Sequence, residues 1–213
     1  MSKIVLALII CMLAYTRAGI RDNIAASIPG EFDMDISVVI DGTTTDQKIS
    51  VSDKYNAAKN VQTITYTKEG KQIKKIFTTV SLFAAQKTFM KSDDSTTCHE
   101  RAIEHKIELI QLLRRVILDP DMSQIKTIDE ENLIQFTINW KFIESIDDWT
   151  HIYFDKNSYV LKRIEQMTES HEKPWITFHI VSPIIKAEHP REHFTIKGCY
   201  ESSTDDEVKL IAK

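Results

Sequence analysis

The chain has 213 residues, 42% of them hydrophobic, with only 5 Gly and 5 Pro, which excludes a collagenous, low-complexity or disordered chain and leaves one ordinary domain's worth of core. Its formal charge is −4, from 27 basic and 31 acidic residues spread along the whole length. No concentrated basic patch exists of the kind that captures nucleic acid or an anionic membrane surface, so nucleic acid is excluded as a partner.

The first element is a leader. Lys3, the apolar run Ile4–Ala14 and the small-residue exit Thr16-Arg17-Ala18 have the form of a secretory signal peptide, and the run is too short to span a bilayer comfortably. Cleavage is expected after Ala18, so residues 1–18 are read as signal peptide and 19–213 as a single secreted domain without a transmembrane segment. The polar carboxyl end, Ser202 to Lys213, carries no lipid-anchor or retention ending. Cys11 leaves with the leader. The two cysteines that remain, Cys98 and Cys199, are predicted to form a disulfide in an oxidising compartment. A bridge closing about 100 residues contributes roughly 4 to 5 kcal/mol by chain-entropy reasoning. The alternative, a nucleophilic Cys98 activated by His99, is disfavoured because helical neighbours point about 100° apart.

From Glu31 to Asp41 the chain alternates strictly, with Phe32, Met34, Ile36, Val38 and Ile40 on one side, the pattern of a strand with one apolar face. Gln47–Ser52, Val61–Tyr66, Gln72–Val80 and Leu82–Met90 follow as further strands, with Lys68-Glu69-Gly70-Lys71 as a hairpin turn. Thr97-Cys98-His99-Glu100 matches a capping box, predicting a helix of about five turns that ends before Pro120. Its stripe is Ile103, Ile107, Ile110, Leu113 and Ile117, which fits a helix packed on a sheet. Alternation returns with Ile134, Phe136, Ile138, Trp140 and Phe142. Trp149–Asp155 and Ser158–Gln166 flank a tight turn at Lys156-Asn157, Trp175–Val181 adds a strand, and His193–Cys199 is read as the last. The class is therefore α+β, mostly β, with antiparallel neighbours and one main amphipathic helix.

Catalytic and metal signatures are absent. His99 and His105 lie six residues apart, about 120° from each other on a helix, whereas a zinc-protease helix needs a spacing of four. Glu188-His189-Pro190-Arg191-Glu192-His193 puts two imidazoles and two carboxylates in one short segment, but Pro190 favours a solvated turn. Asp93-Asp94, Asp147-Asp148 and Asp205-Asp206 lack calcium-loop spacing, and there is no Gly-x-Ser-x-Gly elbow or phosphate-cradling loop. No catalytic residue, metal ligand or cofactor is expected, and the protein is read as a non-enzyme. A hydrolase without a local motif would show itself by a perturbed group, with His99, His179 and His193 the positions to examine.

What remains is an apolar surface wider than its cover. Seven or more strands about 4.8 Å apart exceed 30 Å, while one helix is about 10 Å across, so the sheet must curl, closing a dry core or leaving a cleft for an apolar ligand. The order of parts, with the leader, Trp149-Thr150-His151-Ile152-Tyr153-Phe154-Asp155 turning into Leu161-Lys162-Arg163-Ile164, and the closing Phe194-Thr195-Ile196-Lys197-Gly198-Cys199, resembles the LolA-like lipoprotein carriers, in particular secreted eukaryotic LolA-like and ependymin-related proteins. That resemblance implies a strongly curved antiparallel half-barrel with helical cover, holding a fatty acid, phospholipid or similar ligand on its concave face. The sequons and additional cysteines general in ependymin-related chains are missing here and are not carried over. Phe32, Met34, Ile36, Phe136, Ile138, Trp140 and Phe178 are the expected apolar lining. The rival reading is a secreted protein-interaction module with a solid interior.

Overall fold

The computed structural model describes residues 19–40, 43–104, 107–139, 149–167, 173–182, 184–202 and 208–210. The expected leader, Trp140 and Phe142 lie outside them. Strands β1 (Glu31–Ile40), β2 (Thr43–Ser52), β3 (Ala57–Lys68), β4 (Lys71–Leu82), β5 (Lys87–Ser92) and β6 (His99–Ala102) form one antiparallel meander. A second runs through β7 (Ser123–Ile128), β8 (Leu133–Asn139), β9 (Trp149–Asp155), β10 (Leu161–Met167) and β11 (Pro174–Ile180). The two join where β1 pairs with β11, Ile36 opposite Ile180 and Val38 opposite Phe178. Two-residue β12 (Ile185–Lys186) pairs with Phe32 and Asp33 at the other end of β1. The result is an open, curved, twelve-stranded antiparallel sheet, the mostly-β class that the alternation predicts. Strands β13 (Tyr200–Ser202) and β14 (Val208–Leu210) pair separately.

Turn chemistry accounts for the tight hairpins. Between β3 and β4, Glu69 and Gly70 both adopt positive φ, 52° and 74°, the backbone that lets a two-residue loop follow the twist of its strands. After β9, Asp155 accepts from the amides of Asn157 and Ser158 at 3.0 and 2.8 Å, an Asx turn that reverses the chain at the predicted place.

Two helices cover the inner face, not one. Helix α1, residues 19–27, is additional to the expected elements, although Ile20, Ile24 and Ile28 recur every four residues. Helix α2 (Leu109–Leu118) is half the length expected from the capping box. Residues 99–102 form edge strand β6 instead, with His99 opposite Met90 and Glu100 paired to Lys87 at 2.9 Å. Long-range pairing, together with the disulfide at Cys98, overrides the local helix signal. Helix α2 starts where Asn56 on the β2–β3 turn receives the Leu109 amide at 3.3 Å and donates to the Ile107 carbonyl at 2.7 Å, a cap supplied from another part of the chain.

Strand parity divides the core between the two faces. Inward, Ile24, Ile110, Val116 and Ile117 of the helices pack on Phe32, Val51, Ile134, Phe136, Ile138, Ile152 and Phe154. A second inner cluster, Ile36, Val38 and Ile176 with Phe178 and Ile180, lies toward the other end of β1. Outward, Ala57, Val80 and Phe89 receive Phe194, Ile196 and Cys199. The segment read as a last strand, His193–Cys199, is instead a 3₁₀ turn, Arg191–Phe194, followed by a bend in which the Cys199 amide donates to Ile196 at 2.9 Å. Gly198 takes φ +82° there, and the predicted Cys98–Cys199 disulfide fixes the segment to the outer face, Cα atoms 5.4 Å apart.

The face assignment carries a direct test. Ile138 is fully buried and Thr137 is only half-buried on the opposite face, so Ile138→Asp should cost several kcal/mol, enough to unfold a typical domain, and Thr137→Asp less than about 1 kcal/mol. Urea denaturation followed by circular dichroism separates the two, and equal midpoints would refute the parity.

Candidate functional site

A cavity of about 170 Å³ lies beneath the helices and opens to solvent. Its cause is a split in the sheet. Strand β10 pairs with β11 only from Arg163 onward, and beyond Ile180 the chain leaves β11, Val181 donating to the Asp35 carbonyl at 2.9 Å, before rejoining β1 as β12. Between β1 and the start of β10 the inner face is therefore roofed by Ile28, Leu113 and Ile117 and floored by Ile184. The wall is apolar apart from Ser27 and Tyr159, and Ser27 Oγ is already bonded to the Ile24 carbonyl at 2.7 Å. Among the described residues, none of the lining carries a charge.

Phe32 and Met34 line this cavity, together with Ile152, Phe154 and Ile164. Phe136 and Ile138 lie in the solid part of the same core, each 0% exposed. Ile36 and Phe178 belong to the second inner cluster and are not among the residues that line the cavity. Trp140 is outside the described residues. Ser27, Ile28, Val160 and Ile184 have no place in the expected lining, because helix α1 and the break after β11 leave no period in the sequence that marks them as wall residues.

In the segment expected as a solvated turn, Glu188, Pro190 and Glu192 are exposed, but one of its imidazoles is buried. His189 is 8% exposed, because β12 and the Ala187 amide, which donates to the Glu31 carbonyl at 3.2 Å, draw the chain back along β1. The His189 and His193 rings stack at 4.3 Å, and the edge-on Phe194 ring packs against both. Burial first, then the nearby Lys59 ammonium, holds the His193 imidazole below its ordinary range. His189 Nε2 approaches Asp33 Oδ1 to 3.2 Å without hydrogen-bond alignment.

No protein-family model matches the chain, and no curated protein matches it in sequence. Among solved structures, an uncharacterised conserved protein of Thermus thermophilus superposes with a TM-score of 0.51 at 8% identity, over 89% of this chain and 95% of that one. At that identity the likeness shows a shared fold alone. A LolA superfamily protein of Nitrosomonas europaea aligns over 84% of this chain and 96% of its own, at 8% identity and a TM-score of 0.42. MucB, in complex with MucA(peri), aligns over 94% of this chain and 62% of its own, at 7% identity and 0.37. None of the three is described as ependymin-related.

Of the remaining histidines singled out in the sequence, His99 is exposed on edge strand β6 and His179 is exposed on β11, opposite Arg163. Among the described residues, the phenol moved furthest from its ordinary range belongs to Tyr153, whose hydroxyl donates to Glu165 Oε2 at 2.7 Å beneath the Arg163 guanidinium, 4.1 Å above its ring. Arg163 also pairs with Glu165 and Glu131 at 3.0 and 3.1 Å, so this outer-face group reads as a charge-satisfied strut. Burial, and then the Glu165 acceptor, push the Tyr153 phenol up to about 12. A raised folded value means that the neutral phenol's stabilisation is complete below the ordinary value of 10.0 and is lost as pH climbs from there through about 12. Phenolate absorbance of the folded protein should show one late-titrating tyrosine that vanishes in Tyr153→Phe; no change on that substitution would refute the assignment.

Proposed function

We propose that this protein binds a hydrophobic ligand, without a covalent step, by taking an apolar tail or ring into the cavity where the sheet splits. The observation that carries the reading is an apolar cavity on the inner face of the sheet that opens to solvent. Its described lining is apolar apart from Ser27 and Tyr159, with Phe32, Met34, Ile152, Phe154, Ile164 and Ile184 among the wall residues. Size refines the ligand class. About 170 Å³ is close to the roughly 150 Å³ apolar cavity that stays dry and accepts one benzene ring, so a tail segment or a ring enters and a whole phospholipid does not.

The driving force is partition. Each buried methylene contributes about 0.8 kcal/mol, close to a fourfold gain in affinity. The curved sheet with helical cover is the architecture that the lipoprotein-carrier resemblance implies, and the disulfide supports an oxidising, extracellular setting. Among the described residues, no helix is long and apolar enough to cross a membrane.

Fatty acids of increasing length, titrated by displacement of a fluorescent apolar probe, should bind with affinity rising up to about fourfold per methylene until the cavity is filled. Val160→Trp should block the cavity and reduce affinity at least tenfold, while the melting temperature stays within about 4 °C, the shift that roughly 1 kcal/mol produces in a chain of this size. A protein that ignores every acyl chain, and whose native mass carries no added lipid, would overturn this reading in favour of a protein-interaction module.

A further inference from the structure

On the outer face of β1, opposite the cavity, side chains from the two ends of the domain meet. Asp33 Oδ1, His189 Nε2 and His193 Nε2 all lie within 4.8 Å of one another. Each of these atoms is shut off from solvent and has no hydrogen-bond partner. Buried polar atoms are nearly always satisfied, so three orphans pointing at one place call for one shared partner. Two imidazole nitrogens and a carboxylate oxygen form the donor set of a borderline divalent metal.

We propose that Asp33, His189 and His193 bind one divalent transition-metal ion, with zinc(II) the best match. Bond lengths near 2.0–2.2 Å place the donors of a tetrahedral zinc site about 3.3 Å apart. The 3.2 Å between Asp33 Oδ1 and His189 Nε2 already meets that edge. His193 completes the triad by a small movement of a ring on a 3₁₀ turn. An oxidising environment, which the disulfide needs, favours redox-inert zinc over ferrous iron, the other common ion of a two-histidine, one-carboxylate set.

The surroundings hold the donors in place. Glu31 accepts the His189 amide at 3.3 Å and the Ser52 hydroxyl at 2.7 Å, which ties the turn to β1 and β2. Phe194, 2% exposed, packs edge-on against both imidazoles and fixes their planes. His189 and His193 stand four residues apart on the segment that the disulfide anchors to the outer face, so the ion would fasten that segment to the central strand. The inference is independent of the cavity reading.

The test uses the disulfide-bonded protein, stripped with chelator and titrated with zinc chloride against a chromogenic zinc indicator. One equivalent should bind, with a rise in melting temperature at saturating zinc. His193→Gln and Asp33→Asn should each weaken binding by at least about 100-fold, while His179→Gln leaves it unchanged. Zinc-edge X-ray absorption of the wild type, which needs no variant to fold, should show a nitrogen and oxygen shell with scattering from two imidazoles. Absence of saturable binding by the wild type, binding that survives both substitutions, or a shell without imidazole would overturn the proposal.

Discussion

The structure follows from a mismatch between the width of its sheet and the size of its cover. Eleven strands hydrogen-bonded in one path, at about 4.8 Å each, make a surface roughly 50 Å wide, whereas α2 with its ten residues is about 15 Å long and α1 is no longer. Flat, that surface would leave most of its apolar side chains in water. Curvature brings β1, β8 and β9 around the two helices, so the same short cover reaches strands far apart in sheet order. What curvature does not accomplish, the chain does otherwise. The segment after β12 packs on the outer face of β3 to β5 and forms a core there, and the split beside β11 leaves a cavity where no side chain fills the space.

Two short helices of 9 and 10 residues are marginal by themselves, so what fixes them to each other decides whether the cover exists. Here each reaches the carboxyl end of the other. Arg21 of α1 donates to the Ile117 carbonyl and to Ser123, its Oγ at 2.8 Å and its carbonyl at 2.7 Å, with the guanidinium 5.4 Å above Phe136. Arg114 of α2 donates at 2.8 Å to the Ile28 carbonyl, just past the end of α1. Both cations sit where helix carbonyls lack partners and the helix dipole is negative. Burying Arg21 to 8% exposure is unfavourable until those acceptors are present, so the two helices form together.

The sequence was most legible where one local period decided the outcome. Strands β1 and β11 lie within a residue of their expected bounds, because alternation over seven or more residues admits one arrangement on a half-buried sheet, and β9 does so because the turn signal after it marks its end. It misled where a local signal met a distant one. Thr97 to Glu100 reads as a helix start, yet Cys98 is bonded to Cys199 and Glu100 lies on an edge strand, neither of which a capping pattern reveals. The candidate sites show the same divide. Phe32 and Met34 were legible as inward residues of a strand, but the cavity they line exists because β11 ends at Ile180, a fact of strand length. Likewise the four-residue spacing of His189 and His193 was visible, and Asp33 was not connected to it, because only the return of β12 along β1 brings them together.

That return also explains why the two sites stand back to back. Successive residues of a strand point to opposite faces, so Phe32 and Met34 enter the cavity wall while Asp33, between them, faces the two imidazoles. The chain that borders one site continues into the other, with Ile184 on the cavity floor and His189 five residues later in the outer cluster. A register slip of one residue in β1 would put a carboxylate in the greasy pocket and two apolar side chains against the histidines, destroying both sites at once. The pairing of β1 with its neighbours on both sides, ten residues with β2 and seven with β11 and β12, therefore protects the chemistry of each face as much as the fold.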